Sequence, residues 1–279
     1  MPEPDLTIVA LISDSSLRAA VDHSLEGQQR YRLLPCQPGP DPVAELERLR
    51  DRCDALVLQQ GELTSDAMAA LKAGGLLIPA VVIGERRGNV DYHCDEVHLP
   101  RDQLAQLTYS LDAAVSRFLK HTQSATPGGS SDGPEPGRPE RWRLANRLQG
   151  RLGLLGVFYK RDPSRFLRNL SEDERSELLA SLQRTYRDLT LTYFRNPAAA
   201  NQALENFVNT VFFSDLPITK VVEIHVNLVD SFAKQLRLEG HKSDFLQDYR
   251  LVLLDVMAHL CEMYRRSVPP DQPLDVGRS

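Results

Sequence analysis

Cysteine is scarce and scattered: the 279-residue chain has four, Cys36, Cys53, Cys94 and Cys261, and no C-x-x-C pair. That spacing supplies neither a disulfide framework nor a zinc ribbon, and it fits a reducing compartment, so all four are read as buried or incidental. No apolar run reaches eighteen residues, and the opening MPEPDLTIVALISDSS lacks a basic segment and a small-residue cleavage site. Neither a membrane span, nor a stable membrane association, nor a secretion signal is expected, which leaves a cytoplasmic address. A dense basic field is missing as well. Net charge is -5 overall, with 12 basic against 18 acidic residues up to Lys120 and 20 against 17 from Arg141 onward. Neither half is suited to neutralising a run of phosphates, so nucleic acid is not an expected partner. The common catalytic signatures are absent too: there is no GxxxxGK[ST], no GxGxxG after a strand, no HExxH and no GxSxG. Gly153 and Gly156 read as a turn rather than a phosphate cradle. The chain is therefore not expected to be an enzyme, and no metal or cofactor is called for.

What is present divides the chain. From Leu6 to about Leu119, short β-branched runs alternate with amphipathic segments, the pattern of a parallel sheet covered by helices on both faces. Strands are expected near residues 6–12, 31–36, 55–59, 80–83 and 96–99. GERRGNVDYHCDE, from Gly84 to Glu96, has no helical period, so a loop is expected to replace one crossover helix. His121 to Glu140 is rich in Pro, Gly and Ser and reads as a linker. Every later periodic segment is helical: one around ERWRLANRLQGRL, one opened by the capping box Ser171-x-x-Glu174, one across NQALENFVNTVFF, one from Ile218 to Leu238 stopped by Gly240, and one from Ser243 to Arg266 stopped before Pro269. The expected fold is α/β plus all-α: a flavodoxin-like domain over 1–120, a linker over 121–140 and a helical bundle over 141–279.

DALVLQQ, Asp54 to Gln60, has the form of the third strand of a bacterial receiver domain, with Gln59 where the phosphorylated aspartate belongs. A receiver also needs an acidic pair after the first strand, Ser or Thr after the fourth and Lys after the fifth. Here those positions read Ser13-Asp14, Gly84 and Leu99-Pro100. A neutral amide is no nucleophile, and one carboxylate is a poor cage for a hard divalent cation. A pseudo-receiver, or a flavodoxin-like domain with no receiver ancestry, fits this pattern, and neither transfers phosphate.

In the helical half, Glu223, Asn227, Asp230, Lys234 and Arg237 recur at spacings of three and four and share one helix face. Asp248, Asp255, His259, Glu262 and Arg266 do the same farther on. Each stripe is either a solvated face or one wall of a charged groove that receives a peptide. The apolar face beside the second stripe is wider than one neighbour needs, which predicts a homodimer. His259 and His225 are followed by Leu260 and Val226, not by the acidic residue expected of a phosphotransfer histidine. Asp255, His259 and Glu262 lack the repeated Glu-x-x-His units of a di-metal bundle.

GVFYKRDPSRFLRNL (156–170), PITKVVEIH (217–225), FAKQLRLEG (232–240) and DYRLVLLDVMAHLCEMYRRSVP (248–269) resemble the KaiA family of cyanobacterial circadian clock proteins. The resemblance runs through Arg141 to Pro269; over the first domain it rests on the degenerate receiver pattern. It implies a pseudo-receiver, a linker and a dimeric helical domain that captures the C-terminal peptide of the clock kinase KaiC and stimulates its autophosphorylation, with later sequestration by KaiB. On that basis Phe212, Arg237, His259 and Glu262 are expected to be functionally sensitive, and the stripe argument adds Asp230 and Asp255. The resemblance also implies an oxidised quinone as a sensed ligand. One departure is visible: Ser124 to Pro139 has no apolar, strand-forming piece of the kind that pairs with KaiB in relatives. The alternative from a different class is a two-component phosphorelay adaptor that uses the bundle histidines.

Overall fold

The structure, a computed structural model, describes residues 6–26, 28, 30–34, 36, 41–85, 88–124, 138–152, 161–239 and 244–267. Five parallel strands form one sheet in the order β2-β1-β3-β4-β5: β1 (Leu6–Leu11), β2 (Tyr31–Leu34), β3 (Ala55–Gln59), β4 (Ala80–Ile83) and β5 (Val97–Leu99). That order is flavodoxin-like, and it places the carboxyl ends of β1 and β3 side by side. Ile8 pairs with Ala55 and Leu11 with Leu58. β1 and β4 are buried throughout because helices cover both faces, which explains their unbroken aliphatic runs. Helices α1 (Ser15–Leu25), α2 (Pro42–Leu49) and α3 (Ser65–Ala73) start where Asp14, Asp41 and Thr64 accept backbone N–H bonds at the N-cap. Among the described residues between β4 and β5 none is helical, as the missing period predicts.

After β5 a 3₁₀ segment, Arg101–Gln106, leads into α4 (Leu107–Ser124). The two do not join into one regular α-helix: Gln103 has φ -120° and ψ 26°, and the break turns Gln103 and Gln106 toward the second half of the chain. That half contains α5 (Arg138–Leu152), 3₁₀ turns at Pro163–Arg165 and Leu167–Asn169, α6 (Glu172–Thr192), α7 (Pro197–Phe213), α8 (Ile218–Leu238), a 3₁₀ segment at Asp244–Tyr249 and α9 (Arg250–Ser267). Ser171 and Glu174 form the expected capping box at the start of α6. The last predicted helix is thus shorter than 243–266. Its first turns wind as 3₁₀, which buries Leu246 and sets Tyr249 beside Phe194 and Phe232, at centroid distances of 6.2 and 6.0 Å. Of the segment 121–140, residues 121–124 continue α4 and 138–140 begin α5, while 125–137 lie outside the described residues, as do the predicted stops Gly240 and Pro269.

Polar groups join the two halves. Gln106 Nε2 donates to Ser181 and Thr185 of α6, each at 2.8 Å, while its Oε1 accepts from Thr210 of α7 at 3.0 Å. Arg165 lies buried between the Tyr31 and Tyr109 rings, with the guanidinium 4.4 Å from the Tyr109 centroid. Asp112 of α4 is its counter-ion at 3.4 Å and that of Arg30 at 3.2 Å. Helix α5 lies against the sheet half: Arg147 and Arg151 reach the fully buried Asp54 at 3.1 and 2.6 Å, and Arg141 pairs with the fully buried Asp95.

Candidate functional site

At the carboxyl ends of β1 and β3, the receiver chemistry is replaced by a closed set of hydrogen bonds. Gln59 Oε1 accepts from the Asp14 backbone N–H at 3.0 Å and from Ser13 Oγ at 3.5 Å. Asp14 caps α1 through Oδ1, while Oδ2 is bound by Arg101 at 2.8 Å. The Leu17 backbone donor and then the Arg101 guanidinium hold the Asp14 carboxyl below its ordinary value, so it stays ionised without a metal. Gly84 is glycine for a physical reason: a Cβ there would run into the side chain of Gln60. Gln60 in turn accepts from the Glu85 N–H at 2.9 Å and donates to Asp91 at 3.0 Å. Leu99 is buried in the sheet, and Pro100 precedes the turn that presents Arg101. An arginine-neutralised acid and two amides thus stand where a receiver has acids, hydroxyl and lysine.

The α8 stripe is exposed as its spacing predicts. Asp230 and Arg237 have no hydrogen-bond or ion-pair partner among the described residues, while Glu223 pairs with Lys220 at 2.8 Å. On α9, Asp255 accepts from Tyr193 Oη at 3.0 Å and sits 3.1 Å from His259 Nδ1. Glu262 is chelated by Arg265 and Arg266, which push its carboxyl down to about 2. Asn227 of α8 lines a cleft of about 400 Å³ against α6, whereas His259, Glu262 and Arg266 line a different one of about 430 Å³ against α4 and α7.

Phe212, expected from the resemblance to be functionally sensitive, has no exposed surface in this structure. It is fully buried, 5.1 Å from the Tyr264 ring of α9 and 5.1 Å beneath the Arg161 guanidinium. Cys36 and Cys53 are buried, and Cys94 and Cys261 are exposed. Exposed Val222, Val226, Leu251 and Leu254 give α8 and α9 apolar surface that no described residue covers. Arg101 and the α4 residues Arg117, Lys120 and His121, which share the cleft with His259, were not singled out in the sequence. Arg101 follows Pro100 directly, which was the available signal; for the α4 residues there was none, because 138 positions separate His121 from His259.

Two family models cover most of the chain: "Circadian clock protein KaiA, N-terminal domain" matches residues 6–122, and "KaiA C-terminal domain" matches 150–271. A circadian clock oscillator protein KaiA of Parasynechococcus marenigrum is 56% identical over 98% of this chain and 93% of its own length. Its namesake in Synechococcus elongatus is 45% identical over 86% of this chain and 89% of its own. A crystal structure of the C-terminal domain of KaiA from Thermosynechococcus elongatus is 50% identical, with a TM-score of 0.33, and covers 36% of this chain and 95% of its own. No helix among the described residues is long and apolar enough to cross a membrane. With both halves matched and relatives similar over nearly the whole length, the chain belongs to the KaiA family of circadian clock oscillator proteins.

Proposed function

We propose that this chain is a non-enzymatic, cytoplasmic activator of the clock kinase KaiC, which it stimulates by capturing the kinase's C-terminal peptide, and that it is later sequestered with KaiB. Residues 1–120 serve as an input or docking platform, 121–140 as the connection, and 141–279 as the half that dimerises and takes the peptide. Asp230, Arg237, Asp255, His259 and Glu262 contact the peptide, while Phe212 fixes the scaffold. The reading is carried by one observation beside family membership: the position that would accept phosphate is Gln59, and its neighbour Asp14 is already neutralised by Arg101. A protein so built signals by binding. Two copies can bring the α8 and α9 stripes together, and the exposed Leu251 and Leu254 supply apolar area for that contact.

The test is direct. Added to KaiC with ATP, the chain should raise KaiC phosphorylation, with no phosphate on itself. Unchanged KaiC phosphorylation, or stoichiometric phosphate on this chain's histidines, would overturn the proposal, the second result in favour of a phosphorelay adaptor.

A further inference from the structure

The loop between β4 and β5 and the last turns of α4 bring a cysteine, an aspartate and a histidine to one place. Cys94 Sγ lies 3.7 Å from Asp95 Oδ1, His121 Nδ1 contacts the same oxygen, and the three donor atoms lie within 4.8 Å of one another. Asp95 Oδ2 is taken by Arg141, which leaves Oδ1 to the other two groups. We propose that Cys94, Asp95 and His121 form a binding site for a borderline-soft divalent transition metal of the zinc class.

The donor chemistry selects the ion. Thiolate and imidazole favour zinc-like cations over Mg²⁺ or Ca²⁺, which take oxygen cages. Tetrahedral zinc, with bonds of about 2.3 Å to sulfur and about 2.0 Å to nitrogen or oxygen, sets its donors roughly 3.3–3.7 Å apart. The Cys94–Asp95 separation already falls in that range, and the ion takes the place of the His121–Asp95 contact by drawing those two donors apart.

The surroundings are those of a held site. Asp95 N–H donates to His93 Nδ1 at 3.1 Å, and His93 Nε2 donates to the Ile78 carbonyl at 2.6 Å, which fixes a neutral ring under the loop. The Glu96 carboxylate accepts the backbone N–H groups of Asp91, Tyr92 and His93, and Arg117 holds the Glu96 carbonyl at 2.8 Å. Arg141 orients Asp95 from behind in the manner of an outer-shell partner. Cys94 and His121 line the same cleft as His259 and Glu262 of α9, so a bound ion borders the face proposed for the KaiC peptide. Three protein donors leave one position to solvent or to an incoming ligand.

The experiment uses the full chain, stripped with a chelator and titrated with Co²⁺ as a spectroscopic stand-in for Zn²⁺. The expected result is one equivalent of Co²⁺ with thiolate-to-cobalt charge-transfer absorption, bleached by added Zn²⁺. Cys94→Ser abolishes the band and Cys261→Ser retains it. His121→Ala weakens affinity on the order of 100-fold, the upper end of what losing even an outer-shell partner costs. Cys94 is exposed, so its variant tests binding with little demand on folding, and circular dichroism verifies the fold. A wild-type protein without the band, or a band that survives Cys94→Ser, overturns the proposal.

Discussion

Arg101 donates to Asp14 at 2.8 Å and so places a fixed cation beside the one acid left from a receiver's metal site. The positive charge that Mg²⁺ would bring is already there as a side chain. Restoring the nucleophile alone should therefore not restore phosphorylation. Gln59→Asp, incubated with acetyl phosphate and Mg²⁺, is expected to keep its mass unchanged, because Ser13 supplies no second carboxylate and Arg101 repels the ion. Intact-mass spectrometry reads the result, and addition of one phosphoryl group would show the pocket to be one substitution from activity.

Asp112 is the shared counter-ion of Arg30 and Arg165, buried where the two halves of the chain meet. Asp112→Ala leaves guanidinium groups in a dry site and should cost about 3–5 kcal/mol of stability. Adding Arg165→Met should recover part of that loss, since the tyrosine rings around it accept an apolar side chain. Urea unfolding of the single and double variants measures both, and equal stability of Asp112→Ala and wild type would remove the cluster from the joint.

Burial lowers His93 and His225 from their ordinary value of 6.5. The unfolded chain then takes up protons below that pH that the folded chain refuses. Their contribution is complete above pH 6.5 and is lost as pH falls toward the folded values. Urea midpoints should decline as the pH falls below 6.5. His225→Gln, which keeps a partner for Tyr186 Oη, should flatten part of that slope. A slope unchanged in this variant would assign the acid sensitivity to other groups.

For the proposed peptide contact, Glu262→Lys, Arg237→Gln and His259→Ala should each weaken binding of the KaiC C-terminal peptide roughly tenfold to hundredfold with the fold intact. Phe212→Ser should behave differently. It empties a site bounded by Phe213, Tyr264 and Arg161 and should destabilise by about 3–5 kcal/mol, with binding lost through α9. Calorimetric titration together with thermal melts separates the two effects; full affinity in the three polar variants would make the stripes solvated faces.

The sheet, its loop crossover and the helix faces were legible because each rests on local periodicity. Gln59 and Gly84 could be named from their places after strands, and Ser171-x-x-Glu174 predicted its helix start. What could not be read was which face meets which. His259 shares a helix face with Asp255 by spacing, but its nearness to α4 follows from packing through α7, which no local pattern encodes. The 3₁₀ segments escaped for a related reason: Arg101–Gln106 has helical composition, and the break at Gln103 exists to deliver Gln103 and Gln106 to hydroxyls on α6 and α7. Asp112 and Arg165, 53 residues apart, carried no signal of their mutual burial.

The clasp of α5 on Asp54 and Asp95 means that the covalent boundary of the sheet half and its electrostatic boundary fall in different places. The sheet half closes with α4, which ends at Ser124, yet three of the cations that neutralise its buried acids come from beyond it, on Arg141, Arg147 and Arg151. A fragment cut at residue 124 keeps both buried acids and the His121 contact to Asp95 but loses all three guanidinium partners. In the intact chain α5 is thus bound to the sheet half through two buried acids as well as through the polypeptide.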